Sequence, residues 1–277
     1  ASQRQVPGVL RGWCFSLLCL LPVLFGLLVP VLALVVMSAS HIGPGQISSL
    51  AGLIGNSVQV AAVAAFLCAG FALWLAYAER LNSGVLMRVG VRVATLGYAV
   101  PGLVLAVALM VPLTIFDKTL AVLLRDHLGW QPGLLVTGSI ASLVIVYVAR
   151  FLTVAFNSTQ SGLAQVHPQL DAAARSLGAS PRRVLGNIHL PLLRPAVFIG
   201  FLLVFIDVMK ELPATLILRP FNFETLATWV YRFASDERLA FAAPAALLIV
   251  LVSLIPTFVL VQTREESKFT KDAPLSK

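Results

Sequence analysis

Six apolar stretches, each long enough to cross a bilayer, constrain this chain more than any other feature. A spanning helix needs about 20 mostly apolar residues, and such runs occur at about 13–37, 58–78, 93–116, 134–156, 195–216 and 241–262. Backbone N–H and C=O groups in hydrocarbon find no water, so each run must satisfy them internally as a helix. The fold class that follows is an all-α membrane protein with six transmembrane helices, residues 1–277 being read as a single transmembrane domain. Of the 277 residues, 58% are apolar and 12% charged, whereas soluble domains run about 45–50% and about 25%. A soluble enzyme, a disordered tail and a disulfide scaffold are excluded. The first run is longer than the roughly 7–15-residue core of a signal peptide, and no small-residue cleavage site follows it cleanly. The chain opens on Ala1 rather than Met, which reads as a processed product or a piece of a longer polypeptide.

The net charge is +8, too small and scattered for a nucleic-acid patch; at a bilayer it reports topology. One set of inter-span segments holds Arg4, Arg11, Arg80, Arg88, Arg92, Arg150, Arg175, Arg182, Arg183, Arg194, Arg264, Lys268, Lys271 and Lys277, 14 in all. The alternate set holds five: Lys118, Arg125, Arg219, Arg232 and Arg238. Lys210 falls within the fifth span. Both termini are therefore expected in the cytoplasm. Of the outer segments, Ser38 to Gly55 reads as a polar, glycine-rich loop and Asp117 to Trp130 as a short interfacial helix. Arg219 to Leu239 reads as a turn at Pro220 followed by an amphipathic helix from Glu224 to Phe233.

The inner segment 157–194 is the most informative. Pro168 can open a helix that Ala172 to Leu177 continue. Gly178 suits a left-handed helix terminus, Ser180 an N-cap, and Pro181 the first position of a second helix. That second helix is expected to run to about His189 and to end at Pro191. A short exposed helix beside a tight turn is a shape for docking into a groove on a partner.

The spacing of Gly178, Ile188, Leu190 and Pro191 resembles the cytoplasmic signature of ABC importer permeases: Glu-Ala-Ala, three residues, Gly, nine residues, Ile, any residue, Leu-Pro. Ala173 and Ala174 fill the alanine places. Ala172 stands where the family has glutamate, and Asp171 lies one position early, which puts the family's carboxylate contact in question. The region from Asp207 through Lys210, Glu211, Pro213, Thr215, Arg219, Phe221, Phe223 and Thr225 is similar to the fifth-span region of ferric-iron permeases; Ala234, Asp236, Glu237, the proline-bearing sixth span, and Tyr98, Pro101 and Gly102 extend the match. The resemblance implies a type I permease fold in a bacterial inner membrane and an ATPase-docking set of Asp171, Ala173, Ala174, Gly178, Ala179, Ser180, Pro181, Arg182, Arg183, Ile188, Leu190 and Pro191. It implies a second permease half as partner, fused or separate, two ATPase subunits that use ATP and Mg, a periplasmic substrate-binding protein, and surrounding membrane lipid. With one signature loop and no internal repeat, the sequence resembles a C-terminal half or a single half that must pair.

Asp207, Lys210 and Glu211 share one helix flank at i, i+3 and i+4, and charges within a span point to function. With Pro213 ending the helix, they read either as a charged outer gate of the translocation path or as a self-neutralised cluster that fixes packing. Two carboxylates suit a hard cation such as iron(III), but Lys210 beside them argues against a dedicated metal site, and none is expected. Pro101 with Gly102, Pro244 and Pro256 read as kinks, either hinges or ordinary packing. Cys14, Cys19 and Cys68 read as small buried apolar residues; His41, His127, His167 and His189 read as surface histidines. No catalytic motif or nucleotide site appears, so the chain is expected to be a transport subunit rather than an enzyme, with no cofactor of its own. The cargo expected from the resemblance is iron(III); thiamine, a phosphonate or a polyamine, and a secondary carrier working without an ATPase, are the alternatives.

Overall fold

A computed structural model describes residues 9–39, 44–82, 84–130 and 133–272, and every described element is helical. Arg4, His41 and Lys277 lie outside the described residues. Helices α1 (Val9–Val23) and α2 (Val29–Ala39) are joined by a π turn at Leu24–Leu28. They are followed by α3 (Pro44–Leu81), α4 (Val85–Ala94), α5 (Gly102–Leu128) and α6 (Ile140–Ala164). Then come α7 (Pro168–Ser176), α8 (Pro181–Val184), a second π turn at Leu185–His189 and α9 (Leu190–Met209). Helices α10 (Pro213–Leu218), α11 (Leu226–Ser235) and α12 (Leu239–Asp272) complete the chain. Six stretches are long and apolar enough to cross a membrane: Trp13–Ala39, Ser48–Leu81, Gly102–Leu128, Ile140–Ala164, Pro181–Met209 and Leu239–Val259.

The centre of the bundle is α3, α6 and α9 packed on one another. Helix α3 makes this possible with a stripe of small residues, Ala61, Ala65, Cys68, Ala72 and Ala76, all buried and spaced three or four apart. Small side chains let helix backbones approach closely where no hydrophobic effect drives association. Leu143, Val146, Tyr147 and Phe151 of α6 and Val204 and Val208 of α9 fill the opposing face. Helix α12 packs on α11, α9 and α2, whereas the apolar window of the first span is not buried within this chain. Cys68 is therefore buried as expected, but Cys14 and Cys19 are exposed on α1.

Several boundaries differ from expectation. The segment read as a first outer loop is mostly helix, because Pro44 opens α3 and the helix runs on through Gly45, Gly52 and Gly55. The third span starts at Gly102 rather than 93. Pro101, extended and without an N–H, is the N-cap of α5, so Pro101 and Gly102 begin a helix instead of kinking one. The preceding carbonyl freed at Thr95 is satisfied by the Thr153 hydroxyl at 2.6 Å. No separate interfacial helix forms over 117–130, since α5 continues to Leu128 and ends at Gly129 in the left-handed region (φ +64°). Asp117 is tolerated inside α5 because its carboxylate accepts from the backbone N–H groups of Leu135, Val136 and Thr137. The expected outer helix is α11, capped by a reciprocal box between Thr225 and Thr228. Pro191 does not end a helix. The π turn ahead of it bonds Leu190 N–H back to the Leu185 carbonyl, and the chain stays helical from Pro181 to Met209.

Candidate functional site

The loop between α6 and α9 lies at one end of the bundle, here the loop end. The chain enters α7 through His167, whose Nδ1 accepts from the Gln169 N–H at 3.2 Å, with Pro168 in the first turn. The helix closes as a Schellman motif: Gly178 N–H donates to the Arg175 carbonyl (2.9 Å) and Ala179 N–H to the Ala174 carbonyl (3.0 Å). The motif needs a left-handed residue at Gly178, whose φ is +77°. Ser180 is extended at the start of α8 as expected, but its side chain makes no capping bond. Its carbonyl receives the Arg183 and Val184 N–H groups instead. The freestanding short helix at this end is thus α7, while 181–189 is the root of the fifth span.

Two sides of this loop have different chemistry. Ala173, Arg175, Leu177, Gly178, Ser180, Pro181, Arg182 and Arg183 are exposed, with Leu177 87% so. Ala179 and Ile188 are half-buried, Ala174 is buried, and Leu190 and Pro191 are exposed along the root of α9. Leu177 was no part of the expected docking set; an apolar residue just before a left-handed glycine was the available signal.

Asp171 faces inward. Its Oδ2 accepts from Arg80 Nε and its Oδ1 pairs with His189 Nε2, each at 2.7 Å. Arg80 spends its other donors on the carbonyls of Leu163 (2.9 Å) and Val166 (3.0 Å). His189, expected on the surface, has no exposed area. With Asp171 ionised, the His189 Nε2–H is the donor in this pair, and the Tyr77 ring lies 5.4 Å from the imidazole. Tyr77 also donates its hydroxyl to the Pro181 carbonyl at 2.6 Å. Burial alone would push the Asp171 carboxyl up; the Arg80 and His189 hydrogen bonds outweigh it and hold the group below the usual carboxylate range.

Halfway along the bundle lies a second charged cluster. Helix α9 ends at Met209, one turn before Pro213, which occupies the first turn of α10. In the break, Glu211 accepts from Arg150 Nη1 at 2.9 Å and from the Ala214 N–H at 3.1 Å, and it is 6% exposed. Arg150 belongs to the middle of α6, not to the inner loop where its position in the sequence seemed to put it. A Cβ on Gly102 would run into the Arg150 guanidinium and the Glu211 carboxylate, so both pack directly on the start of α5. The adjoining Tyr147 hydroxyl bonds to Thr215. Asp207 pairs instead with Lys210 at 2.9 Å, and Lys210 is 60% exposed. The three charges therefore divide into one buried pair, Arg150 with Glu211, and one pair on the bundle surface. Among the described residues, no three His, Cys, Asp or Glu side chains converge in a way that could hold a metal. At the far end, a cleft of about 730 Å³ is lined by Asn56, Arg219, Asn222, Glu224 and Arg232, with Glu224 bridging the two arginines.

A helical six-span unit with a helix, a left-handed glycine and a second helix at one end has the architecture of type I ABC importer permeases. Residues 68–264 match the family described as binding-protein-dependent transport system inner membrane component, and the chain belongs to that family. It is a multi-pass membrane protein. It is 31% identical over 236 residues to the Fe(3+)-transport system permease protein FbpB 2 of Haemophilus influenzae, a match covering 84% of this chain and 43% of that protein. Less than half the length of that relative is therefore represented. Over 116 residues it is 35% identical to the putative 2-aminoethylphosphonate transport system permease protein PhnV of Salmonella typhimurium, covering 41% of this chain and 43% of that one. In fold it is similar to a bacterial ABC transporter involved in the import of the acidic polysaccharide alginate (TM-score 0.71, 15% identity, 93% of this chain and 97% of that chain). It is similar also to the MetNI methionine ABC transporter in inward facing conformations (TM-score 0.61, 13% identity, 79% and 95%).

Proposed function

We propose that this chain is one six-span half of the translocation path of an ABC importer that carries iron(III) into the cytoplasm. The observation that carries the reading is the loop end: α7, the left-handed Gly178 and the exposed surface of Leu177, Pro181, Arg182 and Arg183 form a compact knob at one end of the bundle. Two ATPase subunits, using ATP and Mg, engage this knob and its counterpart on a second permease half, fused or separate. A periplasmic binding protein delivers cargo at the far end. The orientation puts both termini and the loop in the cytoplasm. Arg150 now counts for neither side, leaving 13 basic residues against five, and the bias still favours this orientation.

Support for iron as cargo comes from the extent of the similarity to the Haemophilus Fe(3+) permease, which runs over most of the chain. A phosphonate is the second reading, favoured by the higher identity over a shorter stretch. In the path, Asp207 and Lys210 are the charged groups open to a facing half, while Glu211 and Pro213 shape the helix break behind them. The test is reconstitution of the assembled importer with its ATPase and binding protein. ATP-dependent uptake of radiolabelled iron(III), unaffected by excess aminoethylphosphonate, is expected. Uptake of the phosphonate alone would overturn the cargo, and ATPase co-purification undiminished in Gly178→Trp would overturn the docking surface.

A further inference from the structure

We propose that Asp171 is a positioning residue for energy coupling: it clasps α7 to the ends of the second and fifth spans so that the three move as one body. The inference rests on the reading above, that an ATPase docks on this loop. Left to its apolar contacts, α7 would be loosely held. Ala174 is its buried residue, while Leu170 is 44% exposed and Leu177 87%. The polar contacts supply the anchor. One Asp171 oxygen takes Arg80 from the last turn of α3, the other takes His189 from the π turn, each at 2.7 Å. Arg80 simultaneously holds the Leu163 and Val166 carbonyls at the exit of α6. Tyr77, one turn before Arg80, holds the Pro181 carbonyl and lies against the His189 ring. A displacement of the exposed face of α7 therefore cannot be absorbed by α7 sliding alone.

The clasp meets the fifth span at a π turn, and such turns recur at functional sites in helices. Beyond it, α9 runs without interruption to Met209 and the Arg150–Glu211 pair. Movement of the clasped body at its root would be carried along α9 to that break. The family's signature has a carboxylate at the place of Ala172, which is exposed here. Asp171, one residue earlier, lies about 100° around α7 from it and serves this chain instead of a partner.

Two measurements on the assembled transporter in proteoliposomes test the proposal. In a Cys14→Ser, Cys19→Ser background, spin labels at Ala172 and Leu81, both exposed, report the distance from α7 to the end of α3. An unchanged distance between ATP-free and ATP-trapped states is expected, while the distance from Ala172 to its counterpart on the second half changes. A shift of the first distance on ATP trapping overturns the proposal without needing any clasp variant to fold. Second, cargo moved per ATP hydrolysed should fall about tenfold in Asp171→Asn, within the ordinary range for coupling between two sites, and recover in part in Asp171→Glu. A purely structural role would lower uptake and hydrolysis together, leaving the ratio unchanged, and that result also overturns it. If no ATPase assembles with the unmodified chain, the docking reading has failed and not the clasp alone.

Discussion

Replacing Glu211 with glutamine removes one charge and almost nothing else. The side chain keeps its shape, its Oε1 can still accept from the Ala214 N–H, and the main-chain carbonyl of residue 211 still receives the Thr215 hydroxyl. What is lost is the counter-charge of Arg150, which is 20% exposed, whose Nε has no partner, and whose one ion pair among the described residues is with Glu211. Breaking a buried pair by removing one partner costs about 3–5 kcal/mol. The remaining hydrogen bond and the access of Arg150 to some water place Glu211→Gln at the lower end, about 3 kcal/mol. For a chain of this size each kcal/mol moves the midpoint by about 2–4 °C, so a fall of about 6–12 °C is expected. The assay is thermal unfolding of the purified chain in detergent, followed by tryptophan fluorescence. Adding Arg150→Met to the same variant removes the stranded charge and should bring the midpoint back to within about 1 kcal/mol of the parent, because apolar replacement of a whole buried pair is often neutral. A Glu211→Gln variant that melts with the parent, or a double variant no better than the single, would refute the reasoning.

Other consequences are smaller. Gly102→Ala forces a methyl group against the same pair and should cost about 1–3 kcal/mol, read in the same melt, with the loss reduced when Arg150→Met is already present. Gly178→Ala must hold a Cβ in the left-handed region, at about 1–2 kcal/mol; faster tryptic cleavage after Arg175 is the expected sign of a loosened loop. The Asp171 carboxyl is held low in the folded chain. Its contribution to stability is therefore complete above the unfolded value of about 3.9 and is lost as pH falls through the lower folded value. The gap in melting midpoint between the parent and Asp171→Asn should be present at neutral pH and close below about pH 4. Thr225→Ala breaks the box that starts α11 and should cost about 1 kcal/mol.

The spans were legible because hydrocarbon imposes a length and a composition that any window of sequence reveals. The turn at Gly178 was legible for a similar reason, since proline and glycine act on their own backbone. Arg150 was not. A charge at the edge of an apolar run looks like a loop residue until its partner is known, and Glu211 is 61 positions away. Nearby Lys210 offered a simpler pairing for the same carboxylate. Asp117 misled in the same way: three backbone N–H groups some 18–20 residues later satisfy its oxygens, so the helix passes straight through. His189 looked exposed because it falls between two spans, in a segment that read as an inner loop, whereas Tyr77 and Asp171 pack on it from other elements.

The π turn at Leu185–His189 is in effect a helix carrying one residue more than its path requires. Deleting Gly186 would let a plain α-helix run from Pro181 to Met209 with the flanking turns near their present azimuths, whereas straightening the turn with all its residues kept would rotate the chain ahead of it by about 100° about the axis of α9. Arg182 and Arg183 would then point along a different azimuth from the one they hold now, with every side chain of α9 unchanged. The π turn thus works as a phase setting: whether it is wound wide or tight fixes the angle at which the loop end is presented to whatever grips it.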